Sequence, residues 1–469
     1  MSISIKRLYI VFFLAGIFFI PFNSWEGIKE FGEFKREASA YFFLVSFLLL
    51  IVDAGTNLKV RFPWKNRIYL ILILFMAWCA ISLLINFPEV ADSFFKETTG
   101  INRFIRQYFV LVVSAVIFFA VYFNSLASLT YKEAFFTQRR IFLWSFVAVS
   151  IYGFLEIAYV KFGFYPAYQL LRIFDYFPFV EWDTDGQGRI SSVTWEPPAL
   201  ATFLIIVAGW MFSYLLTEKS HWKFVPTALI LILTYFSGSR TALIVVLVQL
   251  AIFLYLSLRK EHLIKVGLVT LGATGIIVAY GLIFDSSKLV YDVSEKLESL
   301  DFRGNLKKNI SNQSRFGIQY ANMKVFSENP IAGVGFGQQA FHGRHHYPLW
   351  AKKDNWEFKY MYLDKKQPMF APGYNLYIRL LAETGVIGFL LFAYFLFCVV
   401  RKSLKMIKST GEYHRIVGVV LLVSFAGYIL NWLQMDTFRN YGFWIALALL
   451  LKSPESSTFN KKVVDEVFS

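Results

Sequence analysis

Long runs of apolar residues, apolar on every face and separated by short polar linkers, dominate the chain. Runs at Leu8–Ile20, Ser39–Val52, Ile68–Phe87, Tyr108–Phe123, Ile141–Val160, Ala199–Leu216, Phe224–Phe236 and Thr241–Leu258 are followed by Val266–Phe284. After a long polar stretch come Leu376–Val400, Ile416–Leu433 and a last run ending near Leu451. Many of these runs have the length a helix needs to cross a bilayer. A soluble helix would show an apolar stripe instead. The pattern predicts an all-α polytopic membrane protein of about twelve transmembrane helices. A large, mostly helical loop is expected between the ninth and tenth. The chain then divides into 1–284 (nine helices), 285–373 (loop), 374–452 (three helices) and 453–469 (tail).

Composition agrees: 57% of the 469 residues are hydrophobic, 17% are charged, and 52 are phenylalanine. The net charge of +15 is spread over linkers, which excludes a nucleic-acid footprint. It also orients the chain. With a cytoplasmic N-terminus, the linkers after the second, fourth, sixth, eighth and tenth runs all carry a Lys/Arg excess and face inward. Both termini are then cytoplasmic, and the long segment faces outward. The two cysteines, Cys79 and Cys398, fall inside predicted helices, so no disulfide framework is expected. Leu8–Ile20 reads as a first span rather than a cleaved leader. Phe94 and Phe95 are expected to face lipid from an interfacial helix.

Candidate chemistry gathers on the predicted outer face. Arg240 follows Ser237-Gly-Ser between two apolar runs. It either snorkels to lipid phosphates or lets an oxyanion approach its planar fork. Arg315 is expected in the first turn of a helix capped by Asn312 or Ser314, where backbone amides favour an anion; the plain alternative is a solvated arginine. Gly333, Gly335 and Gly337 form a turn that permits close backbone approach. It is neither a Rossmann fingerprint nor a phosphate-binding loop of the Walker type. His342, His345 and His346 fit no standard zinc spacing, so no metal is expected. Asp183-Thr-Asp185 reads as a surface feature.

Four pieces together resemble the O-antigen polymerase and O-antigen ligase superfamily of bacterial inner-membrane glycosyltransferases. They are Ser237-Gly-Ser-Arg-Thr-Ala242, Arg315 through Asn329-Pro-Ile-Ala-Gly-Val-Gly-Phe-Gly337, Asn375 through Gly388, and Arg189 to Glu196-Pro197. The resemblance implies an undecaprenyl-diphosphate-linked oligosaccharide as donor and acceptor, membrane lipids as surroundings, a chain-length regulator protein as a further partner, and no cofactor. It implies that Arg240 and Arg315 hold the diphosphate. Relatives place a His-Asn pair where this chain has Tyr374-Asn375, and that histidine is their proposed base. Tyrosine is a poor base at neutral pH, so Glu196 or His345 can take that role. Arg189, Gly335, Gly337, His342, His346 and Asn375 complete the expected binding set. The substitution at Tyr374 tilts the reading toward a polymerase joining lipid-linked repeat units by inverting, metal-independent transfer at the periplasmic face. A ligase acting on lipid A core and a glycan or lipid transporter are the alternatives. The long segment is expected to pack over the outer ends of the helices and enclose a cavity open sideways to the outer leaflet.

Overall fold

The computed structural model describes residues 5–57, 60–127, 129–177, 179–181, 188–257 and 310–452. The run Val266–Phe284, the first part of the loop, Asp183–Asp185 and the tail lie outside the described residues. The fold is a bundle of helices: α1 (Ile5–Phe18), α2 (Ala38–Asn57), α3 (Arg67–Ile85), α4 (Gly100–Ala127), α5 (Tyr131–Phe162), α6 (Tyr165–Phe174), α7 (Pro197–Thr217), α8 (Val225–Phe236), α9 (Arg240–Ser257), α10 (Ile310–Glu328), α11 (Leu376–Ile407), α12 (Glu412–Asn431) and α13 (Tyr441–Lys452). Eight of the described helices are long and apolar enough to cross a membrane. The chain is therefore a polytopic, helical membrane protein.

Charged residues displaced two predicted boundaries. α4 begins at Gly100, not Tyr108, because Arg103 and Arg106 ride on an amphipathic first half. α5 begins at Tyr131, so Lys132, Arg139 and Arg140 lie in the helix rather than before it. Its start is fixed by a capping box in which Thr130 and Glu133 satisfy each other's backbone amides. Between α3 and α4 the expected interfacial helix is only Phe87–Asp92. A small antiparallel hairpin follows, pairing Phe94 with Thr99 and Phe95 with Thr98. Phe94 is exposed as expected, but Phe95 turns inward against Phe370 and the Arg344 guanidinium.

Helices α7 and α13 form the centre, with almost every side chain buried. Small residues let their neighbours close in: a side chain at Gly209 would strike Ser424, and one at Gly442 would strike Ile206. Gln249 of α9 ties the centre together by donating to the carbonyls of Ile205 and Val423. Peripheral helices present Leu74, Leu84, Leu247 and Leu390 outward, a surface that suits hydrocarbon.

The linkers sort into two ends. At one end Arg61 pairs through its backbone with Asn124, Arg139 reaches Thr217 and Glu218, and Tyr131 stacks on His414. These are the linkers rich in lysine and arginine. At the other end Ser24 bonds Phe179, Ile190 bonds Phe236, Lys96 bonds the carbonyls of Met361 and Met369, Gly373 bonds Asp436, and Arg439 pairs with Glu33 and Glu37. The candidate residues sit at this second end.

Candidate functional site

Helix α11 is broken where it meets the glycine turn. Gly385 has φ 65° and ψ −169°, which interrupts the helical ladder. The freed carbonyls find partners from two other segments. Val334 N–H donates to Ala382 O and Gly335 N–H to Glu383 O, both at 3.0 Å, while Val386 N–H donates to Pro330 O at 2.8 Å. Trp78 Nε1 reaches Thr384 O at 2.9 Å, and Ser82 Oγ lies 2.9 Å from Glu383 O. An irregular backbone at membrane depth is tolerated only with such replacement partners. A Cβ on Gly385 would stand 2.1 Å from Ile331 O, and one on Gly333 2.4 Å from the Glu383 carbonyl carbon. The close approach expected of the glycine turn is thus made to the chain's own helix. Gly335 and Gly337 also take positive φ and pack beside Val90 and Gln107.

A second element is the turn Arg189–Glu196. The buried Glu156 carboxylate of α5 accepts from Ser191 N–H at 3.0 Å and Ser192 N–H at 2.7 Å, and so grips the turn from inside the bundle. Trp195 N–H donates to Asn23 Oδ1. Glu196 then ends the turn as the N-cap residue of α7, but its side chain makes no capping bond. The carboxylate is left for other work. Burial raises its pKa; Arg315, Arg189 and Arg36 oppose that shift, in that order. Three arginines from three parts of the chain therefore act on one half-buried carboxyl.

Arg240 follows a turn that Arg189 packs against. It opens α9 directly after Ser237-Gly-Ser, and it is half-buried. The Arg189 side chain lies across the turn: a Cβ on Gly238 would meet Arg189 Cδ at 2.5 Å. Arg315 comes from above. It sits in the second turn of α10, not the first, because the helix already runs from Ile310. Asn312 and Ser314 are inside the helix rather than caps, and Ser314 is buried, accepting from Asn355 Nδ2 at 2.9 Å. The buried face of α10 is made of Ser314, Gly317, Ile318, Ala321, Asn322 and Val325, whereas Tyr320 and Met323 point out. Arg315 lies 5.4 Å from the centre of the Tyr374 ring. Its Nε is buried without a hydrogen-bond partner among the described residues.

Tyr374 has φ 54° and shares a 2.7 Å hydrogen bond with Tyr362. Burial pushes its hydroxyl up to about 12. It keeps its proton at neutral pH, so it can hydrogen-bond and orient but not act as a base. Asn375 is occupied as the cap of α11, accepting from Tyr377 N–H at 3.0 Å and Ile378 N–H at 3.1 Å. The three histidines lie elsewhere. His346 pairs with Glu328 at 3.2 Å, and exposed His345 accepts from Arg344. His342 is held below its usual pKa by burial, an effect that the Glu89 charge opposes. The charges that act on Tyr374 come from Glu357, Arg315 and Asp436, a set that shares no member with those acting on His342.

Residues 225–393 match the family model described as O-Antigen ligase. This stretch, 169 of the 469 residues, is similar to the O-antigen ligase and polymerase superfamily. No curated protein matches the chain. The O-antigen ligase match spans Arg240, Arg315, Tyr374 and the α11 break. Arg36, Arg189 and Glu196 precede it.

Several residues escaped the sequence reading. Arg379, on the apolar face of an apparent span, is buried and bonds Glu383 Oε2 at 3.1 Å, Asp436 O at 2.6 Å and Gln107 Oε1 at 2.9 Å. Its only sequence signal is the i, i+4 spacing to Glu383. Arg36 carries no motif at all. Two surface pockets, of about 510 and 400 Å³, lie at Arg172–Tyr176 and Leu349–Lys353, and neither is lined by Arg240 or Arg315.

Proposed function

We propose that the protein is a membrane glycosyltransferase that moves a glycan from undecaprenyl diphosphate to an acceptor hydroxyl. The observation that carries this reading is the half-buried Arg315 guanidinium. Its buried Nε has no hydrogen-bond partner among the described residues, and it lies near the Tyr374 ring, both within a stretch similar to O-antigen ligases, and it acts on Glu196. Arg315 and Arg240 would pair with the diphosphate and stabilise the charge that grows as the glycosidic bond breaks. Glu196 would take the acceptor proton while the acceptor oxygen attacks the anomeric carbon from the opposite face, giving inversion. The leaving group departs as undecaprenyl diphosphate, so charge and atoms balance. Tyr374, held neutral, would steady Arg315.

The description of the matching family favours the ligase reaction, transfer of the finished glycan to lipid A core, over the polymerase that Tyr374 suggested. The polymerase remains the second reading, supported by the absence of the relatives' histidine at position 374. A deletion strain separates them. Polymer still made but none on core indicates a ligase; single repeat units on core indicate a polymerase.

We further place the reaction at the periplasmic face of the inner membrane, with twelve crossings and both termini cytoplasmic. Segregation of the basic linkers at the end opposite the site supports that orientation. Arg240→Ala or Arg315→Ala should each lower turnover more than tenfold, from loss of a charge-assisted bond of about 1.5–3 kcal/mol. Lysine should rescue in part, since it keeps the charge but loses the fork. Purified protein with a defined lipid-linked donor reads this, and near-normal transfer by both alanine variants would rule the site out.

A further inference from the structure

Trp195 stands immediately before Glu196, and two contacts fix it there. Its backbone N–H donates to Asn23 Oδ1 at 3.0 Å, and the Arg36 guanidinium lies 4.6 Å from its ring centre. Both partners come from the linker between α1 and α2. The residue nevertheless keeps 49% of its surface exposed. An indole presents a flat apolar face of negative electrostatic character. A pyranose is its complement, with a face of weakly positive C–H groups and a rim of hydroxyls. The guanidinium covers one face of the indole and holds it in place, so a pyranose would take the other face with a rim hydroxyl toward the Glu196 carboxylate.

We propose that Trp195 and Arg36 form the sugar subsite that seats the acceptor, with the ring under a pyranose face and one hydroxyl directed to Glu196. This rests on the transferase reading above. Two acceptors offer the same chemistry, the outer sugar of a lipid A core and the terminal sugar of a second lipid-linked unit. A tryptophan can also serve simply as an anchor at the membrane interface. Leucine separates the two roles, because it partitions into the interface but offers no aromatic face.

The test uses the full-length protein in lipid nanodiscs with a defined lipid-linked donor. The acceptors are free core oligosaccharide and free repeat-unit oligosaccharide of the host strain, both without lipid, and the membrane-borne forms of each. Trp195→Leu should raise the acceptor KM about tenfold while donor KM and kcat stay near wild type; Trp195→Phe should retain most of the affinity. Arg36→Gln should raise the same KM severalfold. Whichever acceptor responds is the one the subsite takes. If leucine and phenylalanine behave alike, or donor KM rises as much as acceptor KM, the subsite is overturned. Should Trp195→Leu fail to fold, Arg36→Gln decides alone, by the same split between the two KM values. Failure of this idea is distinct from failure of the transferase reading. A protein that transfers nothing from any lipid-linked donor sinks the latter, whereas a working transferase whose acceptor KM ignores Trp195 and Arg36 sinks only the subsite.

Discussion

Glu196 combines two conditions that seldom coincide in one side chain. It is partly withdrawn from water, which favours the protonated acid, and it faces arginines that favour the anion. Burial is the larger effect, so the carboxyl titrates above the ordinary glutamate range. As the proposed general base it must be ionised. Activity should therefore fall on acidification, and the fall should begin at a higher pH than for an exposed glutamate. Glu196→Gln should lower kcat by about a hundredfold or more and remove that acid limb. A pH–rate profile of both proteins checks it; an unchanged limb in the glutamine variant would assign the limb to another group. Glu196 was legible in the sequence because it stands beside a diproline at the start of an apolar run. The charges that set its behaviour were not, since Arg36 and Arg315 are remote along the chain and only folding brings them together.

At the level of elements, the break in α11 is the feature on which the site depends. It lies six residues beyond Arg379, within the helix that Asn375 caps next to Tyr374. The glycine cluster was visible as a turn, yet its partner was not: Gly385 sits inside an apolar run that reads as one uninterrupted helix. Gly385→Ala should cost at least about 1–3 kcal/mol from backbone conformation alone, and more from the overlap with Ile331. The apparent melting temperature in detergent should drop accordingly, while Gly55→Ala, a helical position that meets nothing nearby, should not lower it. The amphipathic starts of α4 and α5 were misplaced for a related reason. Arginines that read as linker residues are buried by partners that lie far off in sequence, such as Thr217 and Glu218 for Arg139.

For the whole molecule, charge and hydropathy predict that the linkers sort onto two sides of the membrane. That sorting needs no tertiary detail, because positive charge is retained on one side of the membrane whatever the packing. A cysteine at Ser239, in a background with Cys79 and Cys398 replaced by alanine, should react with an impermeant reagent in intact cells. Reaction only after the membrane is opened would reverse the orientation. The replacement partners of the α11 break have a consequence for how the protein is made. Trp78 and Ser82 lie 306 and 301 positions before the carbonyls they satisfy. During synthesis α3 enters the membrane long before α11 leaves the ribosome, so it must wait nearby with its donors unmet. The broken helix, once inserted, lacks the α3 donor to its Thr384 carbonyl until α3 packs against it. Protease resistance of α11 should therefore appear only when α3 is present, and an N-terminal fragment carrying α3, supplied as a separate chain, should restore it to a C-terminal fragment.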